Sequence, residues 1–170
     1  MQFNNKSKPL TTLLLAFFVF TIGCQKEVEA DLTAPDFSLS DLSGNTTSLE
    51  QHRGSVVLLD FWATWCPPCR ISIPEMVKVQ KKFREKGLVI LGISMDDPRM
   101  VTDEQLGAFK KQVGINYRIL RANRQVLQDY FGNESISIPT MFIIDREGKI
   151  RDKLVGFIPG AVEKSVRKIL

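Results

Sequence analysis

The residues best suited to chemistry lie in one stretch, FWATWCPPCR at positions 61–70. Cys66 and Cys69 are separated by Pro67 and Pro68, with Trp62 and Trp65 just upstream. Thiols at this spacing can hold a metal, staple a loop or exchange electrons. A structural zinc site takes four ligands, and beyond this pair the chain offers one further cysteine and one histidine, His52. A disulfide used only as a staple across two residues closes a tiny loop and stabilises little. A redox pair fits the position better. The apolar run VVLLDFW leads into the cysteines and a helical pattern follows, so Cys66 falls near the positive helix end and Cys69 one turn inside. Cys66 is then the exposed nucleophile with a lowered pKa, and Cys69 the resolving thiol. Both prolines suit a first helical turn, where the amides they lack have no partner anyway.

Asp60 is the second chemical signal. It interrupts the apolar run, where an unpaired carboxylate is costly and its neutral form is favoured. Strand twist could carry it to solvent or to a backbone donor. Alternatively it lies beneath the pair and accepts the proton of Cys69 as that thiol attacks a mixed disulfide. Trp65 is either an aromatic shelf for substrate or ordinary packing, and Trp62 is expected in the core. His52 reads as a surface residue before a glycine turn, and Asp96 with Asp97 as a strand-end turn instead of a metal site.

The surrounding pattern supplies the elements that must position these groups. Residues 36–49 alternate around Gly44-Asn45 and predict an extra N-terminal hairpin. Residues 56–62 and 88–95 read as strands buried on both faces. Between them, residues 67–86 form a helix with Met76, Val79 and Phe83 on one stripe and an expected kink at Pro74. Thr102 caps a helix reaching Val113, with Gly114 as its stop. A short strand at 117–120, a helix at 125–131, a hairpin over 140–156 and a closing helix at 161–170 complete the chain. Strands alternating with helices and ending in a hairpin predict a mixed α/β sheet flanked by helices.

Length and composition fit one globular domain: 170 residues, 44% hydrophobic and 25% charged. Lys6 and Lys8 precede an apolar stretch of 13 residues at 10–22, shorter than the roughly 20 a membrane span needs. Without those two lysines the net charge falls from +4 to +2, and the remaining charges mix in sign. A solvated surface accounts for them, and no nucleic-acid footprint is expected. Gly23-Cys24 resembles the lipobox of bacterial lipoproteins, although Thr21 stands where Leu is usual. The expected organisation is a signal peptide over 1–23 with lipidation at Cys24, a polar tether over 24–32, and one domain over 33–170. An uncleaved anchor and simple secretion are the alternatives, and all three place the domain outside the cytoplasm. Setting Cys24 aside leaves one even pair, so the core must carry stability and the pair is free to cycle.

LLDFWATWCPPC, followed by SIPTMFIID around Pro139, resembles the thioredoxin superfamily. APDFSL and the added helix at 102–113 are similar to its extracytoplasmic TlpA/ResA-like branch, and the resemblance spans residues 33–170. It implies a thioredoxin-like fold with an extra N-terminal hairpin and a central helical insertion, needing no cofactor. It further implies thiol–disulfide exchange by Cys66 and Cys69. A cis peptide at Ile138-Pro139 is implied to face the pair, where the loop, with Trp65, Pro67 and Pro68, holds a substrate chain. The implied partners are disulfide-bearing proteins, apocytochrome c among them, and a membrane thiol transporter as electron donor; the domain is expected to be a monomer. Two positions depart from the branch: Ser72 stands where many members carry an acid/base Glu, with Glu75 beyond Pro74, and Asp60 stands where many carry Asn. Rival readings are a disulfide-forming oxidase, a thiol peroxidase of peroxiredoxin-like type, and a copper-binding chaperone on the same fold. The oxidase would need His between the cysteines, the peroxidase a Thr-x-x-Cys context, and the chaperone CxxxC spacing; the WCPPC segment supplies none of them.

Overall fold

The computed structural model describes residues 1, 2 and 32–170. The expected leader, Cys24 and most of the tether lie outside the described residues. Among the described residues, seven strands and four α-helices follow in chain order: β1 (Ser38–Ser40), β2 (Thr46–Ser48), β3 (Val56–Trp62), α1 (Pro67–Phe83), β4 (Leu88–Ser94), α2 (Asp103–Val113), β5 (Arg118–Arg121), α3 (Arg124–Phe131), β6 (Thr140–Ile144), β7 (Ile150–Val155) and α4 (Ala161–Ile169). The main sheet has the order β5-β4-β3-β6-β7, with β3, β4 and β5 parallel to one another, β6 antiparallel to β3 and β7 antiparallel to β6. β1 and β2 form the separate N-terminal hairpin.

Central position explains the uninterrupted run VVLLDFW. β3 lies between β4 and β6, so all seven of its residues are buried and alternate between two cores. Val57, Leu59 and Phe61 face the side of α3 and the hairpin, where Phe61 meets Phe131 edge-on at 5.0 Å between ring centroids. Val56, Leu58 and Trp62 face the other side, with Cys66, Cys69, Ile73 and Met76 of the α1 segment and Val162 and Val166 of α4. Truncating a side chain such as Leu58, fully buried in that layer, to Ala costs about 2–5 kcal/mol. β7, at the sheet edge, alternates half-buried and exposed residues instead.

Local signals set the helix ends. α1 runs through Pro74 without a break, buries the expected Met76, Val79 and Phe83, and gives way to a 3₁₀ turn at Arg84–Lys86. α2 opens on a capping box in which Thr102 accepts from the Gln105 amide while the Gln105 side chain accepts from the Thr102 amide. It closes on Gly114 at φ 73°, a left-handed conformation glycine adopts without steric cost. One expectation is corrected. His52 is half-buried, not a free surface residue, and its Nε2 is shielded without a partner. Burial, helped by the nearby Arg118 charge, pushes its pKa down.

Candidate active site

β3 ends at Trp62 and α1 begins at Pro67, so a turn of four residues delivers Cys66 to the helix start as its N-cap. Pro67 and Pro68 are exposed in the first turn and withhold no hydrogen bond that the helix needs. The first amide able to reach the cap therefore belongs to Cys69, which donates to the Cys66 sulfur at 3.2 Å. A sulfur that receives an amide proton at the positive end of a 17-residue helix is stabilised as thiolate once reduced. The two cysteines are joined by a disulfide in this structure.

The expected exposure of Cys66 needs correction: in the oxidised protein it is 3% exposed, against 0% for Cys69. The Ile138 carbonyl oxygen lies 3.7 Å from the Cys66 sulfur, so the loop before β6 covers it. The Ile138–Pro139 peptide in that loop is cis, Pro139 is buried, and its carbonyl accepts from Gly156 at 2.8 Å. Access to the pair is thus through the rim. There Trp65, 65% exposed immediately before Cys66, offers an aromatic surface, whereas Trp62 is fully buried and stacks on Phe109 of α2.

Asp60 is 1% exposed and neither carboxylate oxygen has a hydrogen-bond partner. The solvent-reaching alternative is therefore not what the fold adopts. Alternation along β3 directs Asp60 to the side of Leu58 and Trp62, the layer that contains both cysteines. Burial alone pushes its pKa up from 3.8 to about 7. A carboxyl poised near neutrality can exchange a proton with a thiol. The two other candidates are occupied. The Ser72 hydroxyl donates to the Cys69 carbonyl at 2.8 Å, and the Glu75 carboxylate accepts from the Gly160 amide at the start of α4, at 3.1 and 3.2 Å.

One site residue was not legible as such in the sequence. Asp96, which reads as a strand-end turn, is buried, and its carboxylate accepts from the Thr64 amide at 3.1 and 3.2 Å. It also accepts from the Thr64 hydroxyl at 2.6 Å and the Ser94 hydroxyl at 2.9 Å. The clamp fastens the turn that carries Cys66 to the end of β4. No local pattern marks it, because its two sides are 32 residues apart.

Comparison with known proteins agrees with this geometry. The AhpC/TSA family is matched over residues 31–153. The chain belongs to that family. Among curated relatives, the thioredoxin-like protein YneN of Bacillus subtilis is 39% identical over 123 residues, covering 72% of this chain and 69% of that one. The thiol-disulfide oxidoreductase ResA of Geobacillus thermodenitrificans is 32% identical over 149 residues, 85% of this chain and 82% of that one. Among solved structures, a thioredoxin-family thiol:disulfide interchange protein from Chlorobium tepidum superposes with a TM-score of 0.72 at 30% identity, covering 82% of this chain and 96% of that one. This AhpC/TSA member has the thioredoxin-like fold, and with its Cys66–Cys69 disulfide it is a thiol–disulfide oxidoreductase.

Proposed function

We propose that this chain reduces protein disulfides outside the cytoplasm while tethered to a membrane. The observation that carries the reading is the asymmetry of the pair: the Cys66 sulfur receives the Cys69 amide at the helix start, while the Cys69 side chain is buried in the layer of Asp60. Reduced Cys66, as thiolate, attacks one sulfur of a target disulfide, forming a mixed disulfide and releasing one target thiolate. Cys69 then gives its proton to the Asp60 carboxylate and attacks the Cys66 sulfur. The mixed disulfide breaks, the second target thiolate leaves, and two electrons have moved from the pair to the target. The rim of Trp65, Pro67, Pro68 and Ile138, beside buried Pro139, is where the target chain rests.

Restoring the dithiol requires a donor, for which a membrane thiol-transporting reductase is suited on an extracytoplasmic face. A haem-attachment CxxCH disulfide of apocytochrome c is a target of the right chemistry. The direction of flow is tested by equilibrating the Cys66–Cys69 couple with glutathione or dithiothreitol buffers. A reductant should lie below about −200 mV, and a potential near −120 mV would make the protein an oxidant instead.

The tether is tested separately. Cys24 follows a 13-residue apolar stretch and precedes a polar segment, so mass spectrometry of protein extracted from membranes should find Cys24 as the first residue, carrying diacylglycerol. An intact Met1 terminus in that material would sink the assignment.

A further inference from the structure

Asp60 is not the only buried polar group without a partner on its side of the sheet. The Trp62 indole nitrogen and the Tyr117 hydroxyl are likewise buried and unpaired, and Tyr117 is only 4% exposed. The side chains of Trp62 and Tyr117 both press on the residue that pairs with Asp60. Gly92 of β4 stands directly opposite Asp60 in the parallel register. A Cβ placed on Gly92 would lie 2.9 Å from Trp62 Nε1 and 3.1 Å from Tyr117 Cε2. Any larger side chain would displace them, so glycine opens a notch that the Trp62 indole nitrogen and the Tyr117 ring edge enter, in register with Asp60 on the neighbouring strand. The Asp60 charge also raises the pKa of Tyr117, after burial, which marks the two as electrostatic neighbours. Buried polar groups in folded proteins are satisfied, and an enclosed water characteristically bonds about three otherwise unpaired groups.

We propose that the Asp60 carboxyl, the Trp62 indole N–H and the Tyr117 hydroxyl share one bridging water in the notch over Gly92. Tyr117 is thereby a positioning residue for the proton transferred from Cys69. The inference rests on the reading of Asp60 as the acceptor of that proton. Donors reaching the carboxylate through the water favour its charged form and keep a fraction ionised at neutral pH, against the burial that opposes it. The groups facing Asp60 leave few rivals. Among the described residues its layer presents Cys69, Ile73 and Met76 from α1, Met141 from β6 and Leu106 from α2, and Tyr117 brings the only phenol. No charged side chain contributes to the raised pKa of Asp60.

The test isolates the resolving step. Reduced protein is mixed with 5,5′-dithiobis(2-nitrobenzoate): attack by Cys66 releases a first thionitrobenzoate, and attack by Cys69 on the resulting mixed disulfide releases a second. The second phase is followed from pH 5 to 9. Tyr117→Phe, which keeps the ring and removes the hydroxyl, should move the midpoint of that phase up by about one pH unit while leaving the first phase unchanged. Gly92→Ala should move it in the same direction by filling the notch. A purely structural Tyr117 would alter the melting temperature and leave the midpoint in place, and that result overturns the proposal. Asp60→Asn separates the two levels of inference. If Asp60→Asn slows the second phase but Tyr117→Phe has the wild-type midpoint, the water-linked role of Tyr117 is wrong and Asp60 stands. If Asp60→Asn leaves the second phase untouched, the reading of Asp60 falls, and this one with it.

Discussion

Cys66→Ser is expected to lower turnover of a protein disulfide substrate by roughly 10³-fold or more, whereas Cys69→Ser should complete the first attack and stop there, holding the target as a covalent complex. The difference follows from geometry. Cys66 is the N-cap of α1, its sulfur takes the Cys69 amide, and it is the one of the two that retains any exposure. Cys69 is fully buried beneath it, so no bulky target sulfur reaches it first. Non-reducing electrophoresis after mixing with a disulfide-bearing protein reads both outcomes, the trapped species appearing in Cys69→Ser alone. Full turnover by Cys69→Ser alone would show that Cys69 is not the thiol that resolves the complex, and the assigned roles would be wrong.

Asp60→Asn should slow the resolving step by roughly 10²–10⁴-fold near neutral pH, the range a positioned general base supplies. Wild-type resolution should fall as pH drops through about 7, because protonation removes the acceptor, and the variant should lack that limb. Stability carries the opposite sign. A carboxyl with pKa 3.8 when unfolded and about 7 when buried binds more protons in the folded state between those values, so stability declines as pH rises from about 4 to about 7. Fully ionised, the buried group costs roughly 4 kcal/mol. Asparagine has no charge to lose. The variant should therefore gain a few kcal/mol over wild type at pH 8 and little at pH 4, read as a shift in urea midpoint of the oxidised proteins with an unchanged m-value. Equal midpoints at both pH values would mean that Asp60 is not the desolvated group it is taken for, and Glu75 would need to leave the Gly160 amide to replace it.

Much of the architecture could be read before any coordinates. VVLLDFW announced a strand buried on both faces, because a central strand covered on both sides of its sheet has no solvent side on which to place polar residues. Thr102 and Gly114 marked the ends of α2, since caps are satisfied by side chains and conformations local to the helix end. The CPPC spacing made the pair recognisable for the same reason: N-cap, two prolines and resolving thiol all lie within one turn of one helix. What the chain could not disclose by itself involves partners distant in sequence. Sequence left Asp60 open between solvent and core, and the flanking strands β4 and β6 decided it by closing both sides. Asp96 looked like a turn residue until the fold brought Thr64 to it, and Gly92 and Tyr117 carried no signal until parallel pairing set them around Asp60. Local chemistry, where spacing is short and geometry is helical, was determined by the sequence. Burial and the proton-handling groups were decided by tertiary structure, because desolvation and hydrogen bonding act through whatever the sheet register brings within reach.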